Sequence, residues 1–177
     1  MILNAFIHGQ LSYAETWPDM QALIDEALST LEAESLSPHY DPGEDAWFML
    51  SDRRHTGTGA DWPQLMLHVS VNRATGYGAV IWLASGDYPG EGDIFDNAWV
   101  SDNPQPPAFD PRVVASPGEP RFHDPRSTVP IEQVRAVLEE FCRTGTGMRP
   151  EGVSWARSEL NGIRFDGDNT TGAAIDR

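Results

Sequence analysis

The sequence contains no lysine, only one cysteine and no long apolar run. A single cysteine, Cys142, excludes an internal disulfide and cannot build a thiolate zinc cluster by itself. A membrane helix needs about 20 consecutive apolar residues, and a signal peptide needs a basic segment followed by an apolar one. Neither pattern occurs, so we expect a cytoplasmic protein that binds no metal and uses no other cofactor.

Basic side chains are scarce along the whole chain. The sequence has 12 of them, all arginines, against 27 aspartates and glutamates, and its formal net charge is −15. Binding to nucleic-acid phosphates needs lysines and arginines that displace counterions, so direct nucleic-acid binding is not expected. The same negative field would attract a basic protein and would suit a groove that normally holds nucleic acid. Solubility alone is the alternative explanation.

The usual catalytic motifs are absent from the sequence. It has no GxSxG nucleophile elbow, no HExxH or paired Cys-x-x-Cys zinc motif, and no phosphate-binding GxxxxGK[ST] loop. We therefore predict that the protein is not an enzyme. A carboxylate pair assembled in space from the many acidic residues stays open as an alternative, because sequence spacing does not reveal such a pair.

Hydrophobic periodicity predicts two helices. One covers about residues 16–36, and the other begins near Ile131 and ends before Gly145, a residue suited to a left-handed helix end. Ser127 and Thr128 precede the second helix as candidates for its N-terminal cap.

Apolar and alternating stretches between and beyond these helices predict strands. They lie at residues 2–7, 46–52, 65–71, 79–84 and 153–156, with a further short strand at 162–165. We predict an α+β fold in which an antiparallel sheet of about four to six strands packs against the two main helices. Residues 1–165 are expected to form one domain, and residues 166–177 a flexible C-terminal tail.

The stretch from Gly86 to Asp110 is acidic, rich in aromatic residues and interrupted by glycine and proline. We interpret it as a long loop region, and long loops inside a compact domain are often functional. Aromatic side chains anchor protein interfaces, and carboxylates pair with a basic partner. The predicted partner-binding residues are Asp87, Tyr88, Glu91, Asp93, Phe95, Asp96 and Trp99. Calcium is the rival ligand for these carboxylates, but their spacing does not match an EF-hand loop.

The C-terminal segment carries a family resemblance. Glu140-Phe141, Thr144-Gly145, Arg149-Pro150, Val153 and Trp155 resemble the C-terminal signature of Imm1, an immunity-protein family of bacterial polymorphic-toxin systems that is common in actinomycetes. This chain departs from the pattern by extra residues, 146–148, between the Thr-Gly and Arg-Pro pairs. The close likeness covers about 25 residues, and the hairpin at 65–84 is more loosely similar.

The resemblance implies a non-enzymatic inhibitor that binds a cognate secreted toxin. In this family the toxin is usually a nucleic-acid deaminase, so the expected partner is a basic deaminase domain acting on cytosine. We expect inhibition by occlusion of the toxin's substrate cleft. Two other classes remain open from the residues alone: a general acidic interaction module and, less favoured, a carboxylate-based small-molecule enzyme.

Overall fold

The structure, a computed structural model, describes residues 1–34, 43–56, 62–86, 88–116 and 121–167. In chain order the elements are β1 (Ile2–Ile7), β2 (Gln10–Ala14), α1 (Trp17–Thr30), β3 (Ala46–Ser51), β4 (Leu65–Asn72), β5 (Tyr77–Ala84), β6 (Ala98–Asp102), β7 (Val114–Ser116), β8 (Arg121–Phe122), a 3₁₀ turn (Pro125–Ser127), β9 (Val129–Pro130), α2 (Ile131–Thr144) and β10 (Ser154–Ser158).

The main sheet is antiparallel and has eight strands. Seven follow the order β10-β6-β5-β4-β3-β1-β2, and β9 pairs with the start of β5; β7 and β8 form a separate two-stranded sheet. The predicted α+β class with two main helices is confirmed. The predicted strand number, four to six, is wrong because the sheet contains more and shorter strands.

The missed strands are short segments whose conformation is decided by pairing with other strands. Strand β2 has five residues with little alternation and pairs with β1, whereas β9 has only two residues. Strand β6 lies inside the region 86–110 that was interpreted as one long loop, and that interpretation is wrong for residues 98–102. Five residues are too few for a clear period, so the pairing of β6 with β5 and β10 decides its conformation.

Both helices pack on one face of the sheet, here called the helix face. Strand residues of alternating register, among them Phe48, Leu67 and Trp82, are fully buried there. Apolar residues of both helices, including Ile24 and Phe141, belong to the same core. Burial of large apolar side chains of this kind contributes about 1.5–3 kcal/mol each.

The helix ends differ in part from the predictions. Thr16 caps α1 by accepting a hydrogen bond from the Asp19 backbone N–H, but α1 ends at Thr30 rather than near residue 36. The residue before α2 is Pro130, which provides no side-chain cap, so the capping role predicted for residues 127 and 128 is wrong. Gly145 does end α2 in the left-handed conformation, at φ 66°.

The opposite face of the sheet is more polar and is covered by the chain after β6. Ser70 and Asn72 donate hydrogen bonds to backbone carbonyls at Val114 and Pro111. His123 is buried there, and burial lowers its pKa to about 3, so its imidazole is neutral at physiological pH. Within the described part of the chain, neither helix has the length and apolar character needed to cross a bilayer.

Candidate functional site: the acidic loop and the edge of the sheet

The signature segment, residues 140–155, is held by hydrogen bonds within itself and by one hydrogen bond from the sheet. The Glu140 carboxylate accepts hydrogen bonds from the backbone N–H groups of Glu151, at 2.7 Å, and Gly152, at 2.9 Å. The indole of Trp82 donates to the Gly147 carbonyl at 2.9 Å. These bonds join the C-terminal half of α2, the connection that follows it and the middle of the sheet.

Arg149 occupies the centre of this segment. Its guanidinium carbon lies 4.2 Å from the centroid of the Trp99 ring and 5.9 Å from that of Trp155, distances at which a cation is attracted to an aromatic face. Among the described residues, its Nη1 atom has no hydrogen-bond partner, and burial lowers the Arg149 pKa. The Trp155 indole donates to the Pro150 carbonyl at 2.7 Å. The Arg-Pro and Trp positions of the signature therefore form one contact cluster.

The aromatic residues of the predicted partner-binding set are half-buried. The Tyr88 and Phe95 rings lie 4.8 Å apart, and Phe95 lies 6.2 Å from the core residue Trp82. The Trp99 indole donates to the Ile94 carbonyl at 2.9 Å. These contacts pack residues 88–97 of the acidic loop, defined as residues 86–97, against the helix face. Much of the surface of the three rings is therefore buried against their own chain.

The carboxylates of that set point outward. Glu91, Asp93 and Asp96 are all exposed, and Asp93 forms an ion pair with Arg157 of β10. Asn97 also donates to the Asp93 carbonyl, at 2.8 Å. Asp87 lies outside the described residues. The structure thus brings three of the predicted carboxylates to one exposed surface above a half-buried aromatic layer.

Sequence reasoning missed Arg157 as a member of this surface. It lies opposite Trp99 in the pairing of β10 with β6, and its guanidinium carbon is 5.7 Å from the Trp99 ring. The strand was predicted at 153–156 and ends at Ser158 in the structure, so Arg157 lay one residue beyond the prediction, on the face of Trp155. The distance from residue 93 along the chain concealed the pair.

An open groove of about 300 Å³ lies beside the acidic loop. Its described lining includes Asp52, His55, Trp62 and Tyr88, and Asp52 is the one carboxylate among them. Across the described residues, no group of three or more histidine, cysteine or acidic side chains is arranged to hold a metal ion. The groove does not bring together, from the residues described, the pair of carboxylates that a carboxylate-based enzyme requires.

Carboxyl groups with shifted pKa values lie elsewhere, in ion pairs. Hydrogen bonding to Arg126 lowers the pKa of Asp124, and hydrogen bonding to Arg164 lowers the pKa of Asp166. Arg164 is almost completely buried on the opposite face, where it also pairs with Asp102 at 2.8 Å. The hydrogen bonds from the arginines stabilise the ionised carboxylates and so lower their pKa values, which is typical of structural ion pairs.

Comparison with known proteins gives one match. No curated protein and no solved structure resembles the chain significantly. A family model described as immunity protein Imm1 matches residues 8–157, which include the acidic loop and the whole signature segment. The match confirms the family resemblance of the signature, and the chain belongs to the Imm1 family of immunity proteins.

Proposed function

We propose that this protein binds and inhibits a cognate secreted toxin, and that the toxin is a nucleic-acid deaminase acting on cytosine. The observation that carries the proposal is the family match over residues 8–157. The net charge of −15 supports it, because a toxin that acts on nucleic acid needs a basic substrate cleft, and an acidic protein is attracted to such a cleft.

The mechanism proposed is steric occlusion. A deaminase draws its target base into a pocket beside a zinc-bound water, so a protein that covers the entrance abolishes activity without any chemistry of its own. The contact surface proposed consists of the acidic loop and the start of β6. Its residues are Asp87, Tyr88, Glu91, Asp93, Phe95, Asp96 and Trp99. Exposed carboxylates there replace the phosphates that the arginines and lysines of the toxin would otherwise contact.

The half-buried aromatic layer supports a rigid role for this loop. The contacts of Tyr88 with Phe95, and of Trp99 with the Ile94 carbonyl, hold the exposed carboxylates in position before a partner arrives. A surface that is already ordered loses less conformational entropy on binding, which favours a tight complex.

The test is co-expression with the product of the neighbouring toxin gene, followed by purification and a cytosine deaminase assay. We expect a stable complex without deaminase activity, and recovery of activity when the complex is dissociated. A complex that silences a toxin of another chemistry would retain the immunity function and reject the deaminase. The absence of both a complex and protection of cells would reject the immunity function and favour a general acidic interaction module.

A further inference from the structure

Three large apolar side chains are exposed within six residues of one another just after β10. The exposed fractions are 67% for Leu160, 38% for Ile163 and 57% for Phe165. Single exposed apolar residues are common on protein surfaces, whereas a cluster of them marks an interaction surface.

Backbone pairing places two of these side chains on the helix face. Ser158 and Arg164 form an antiparallel bridge, the Phe165 N–H donates to the Arg157 carbonyl at 3.1 Å, and the Glu159 N–H donates to the Ile163 carbonyl at 2.8 Å. Residues opposite each other in an antiparallel pair share a face of the sheet. Phe165 therefore lies on the face of Arg157, and Ile163 on the face of Glu159.

The same register links this cluster to the acidic loop. Trp99 lies opposite Arg157 in the pairing of β6 with β10, so Trp99, Arg157 and Phe165 form one cross-strand row. Arg157 forms an ion pair with Asp93, which neutralises the one cation in the row. Phe165 and the exposed carboxylate of Asp93 thus lie on the same side of the sheet, on either side of Arg157.

The segment that carries the apolar residues, 160–165, is fixed by contacts on the opposite face of the sheet. Arg164 points to the opposite face, where its guanidinium contacts Asp102 and Asp166, each at 2.8 Å. Gly162, at φ 77°, lies against His123, and a Cβ atom there would come within 2.5 Å of the imidazole Cε1. These contacts order the backbone, so the exposed side chains are presented on a fixed support.

We propose that Leu160, Ile163 and Phe165, here called the C-terminal edge, dock into an apolar depression on the cognate toxin while Glu91, Asp93 and Asp96 pair with basic residues around it. This inference rests on the proposed function, because it takes the toxin as the partner. An apolar centre with a charged rim is the usual anatomy of a specific interface. The C-terminal edge lies beyond residue 157, where the family match ends.

Charge favours a basic protein over a second copy of this chain. Two copies meeting at the C-terminal edge would bring the carboxylates of one acidic loop towards those of the other, and like charges that face each other across an interface weaken the complex. A toxin cleft that binds nucleic acid carries positive charge and would attract these carboxylates. The chain after residue 167 is the other candidate occupant of the C-terminal edge, and a variant that ends at Gly167 tests it.

The experiment measures affinity for the purified toxin by titration calorimetry, with Phe165→Ala, Phe165→Leu and the matched control Phe109→Ala. Phe109 is 51% exposed and packs edge-to-face with Tyr77, away from the acidic loop in sequence. We expect Phe165→Ala to weaken binding about 30-fold, as truncation of an interface anchor does. Phe165→Leu, which keeps an apolar contact, should lose less, and Phe109→Ala should stay within about twofold.

The outcomes separate this inference from the function on which it rests. Failure of the wild-type protein to bind any cognate toxin would overturn both. Wild-type binding that Phe165→Ala leaves unchanged would overturn only the C-terminal edge. A variant ending at Gly167 that is less stable but binds the toxin with unchanged affinity would show that the tail, and not the toxin, occupies the edge. Concentration-dependent dimers that Phe165→Ala abolishes would show a second copy there, and either result would contradict the proposal.

Discussion

The signature segment and the C-terminal edge are neighbours on the helix face, yet their side chains differ in what they contact. Those of the signature segment bond to their own chain, whereas those of the C-terminal edge are exposed to solvent. In the signature segment, the Glu140 carboxylate and the Trp155 indole form hydrogen bonds with the backbone of their own chain. At the C-terminal edge, more than half of the Phe165 side chain is exposed, and Asp96 of the neighbouring acidic loop is exposed too. One region holds the fold together, and the other presents a surface.

This contrast assigns a structural role to the signature segment. Glu140 and Gly145 lie in the last part of α2 and at its end, and Phe141 fills a core position. Partner contacts are expected at exposed side chains outside these positions. The comparison predicts that changes in the signature segment lower stability, whereas changes in the acidic loop or C-terminal edge lower affinity.

The largest expected effect is on stability. Phe141→Ala empties a position that is completely buried between α2 and the sheet, and we expect the free energy of unfolding to fall by about 3–5 kcal/mol. Urea denaturation followed by circular dichroism measures it. The control, Phe109→Ala, removes a half-exposed ring and should cost far less. A loss below about 1 kcal/mol for Phe141→Ala would contradict the assignment of the signature segment to the core.

Charge reversal in the acidic loop is expected to act on affinity instead. Asp96→Arg should weaken toxin binding by about 2 kcal/mol and reduce the association rate, since it places a cation opposite a basic partner. Glu26→Arg makes the same charge change on an exposed position of α1 and should have little effect. Surface plasmon resonance at two salt concentrations tests the pair. Equal effects of both variants would show that only the net charge matters.

A pH titration tests the support behind the C-terminal edge. The pKa of His123 falls from 6.5 to about 3 on folding, so between these values the unfolded chain binds a proton that the folded protein excludes. The contribution of His123 to stability is therefore complete above about pH 6.5 and falls by about 1.4 kcal/mol per pH unit as the pH decreases towards 3. Burial is the main cause of this lowered pKa, and the electrostatic interaction with His68 lowers it further.

The measurement is the free energy of unfolding between pH 7 and pH 4 for the wild type and His123→Gln. We expect the difference between the two proteins to shrink as the pH falls, because glutamine does not titrate. Parallel curves over this range would show that His123 takes up its proton in the folded state as readily as in the unfolded chain.

The smallest effect comes from the two hydrogen bonds that the Glu140 carboxylate accepts within the signature segment. Glu140→Ala leaves the backbone N–H groups of Glu151 and Gly152 without their acceptor and should cost about 1–2 kcal/mol. The adjacent Glu139 forms a surface ion pair with Arg143 at 3.5 Å, so Glu139→Ala should cost less than about 0.5 kcal/mol. Thermal unfolding of the two variants and the wild type measures the loss of stability. Equal losses for the two variants would show that the Glu140 hydrogen bonds stabilise the fold no more than the Glu139 ion pair does.

Local patterns were sufficient for the two helices and the central hairpin. Strands β4 and β5 have eight residues each, and helix α2 repeats apolar residues at a clear helical period. Each of these elements can therefore be predicted from its own residues, without reference to the rest of the chain. The same is true of Gly145, because few residues other than glycine adopt the left-handed conformation without strain. The family signature was equally local, since it lies on consecutive elements.

The sequence by itself therefore determined the α+β class, the two helices, the acidic character of the surface and the family. Tertiary structure decided the strands that are too short to show a period, above all β6, whose residues 98–102 lie within an acidic stretch. It also decided which way each side chain of the candidate site points. Trp99 and Arg157 meet because β6 and β10 pair in one register, and Phe165 joins their row through a backbone hydrogen bond. Such contacts depend on residues far apart in sequence, and only the folded sheet brings them together.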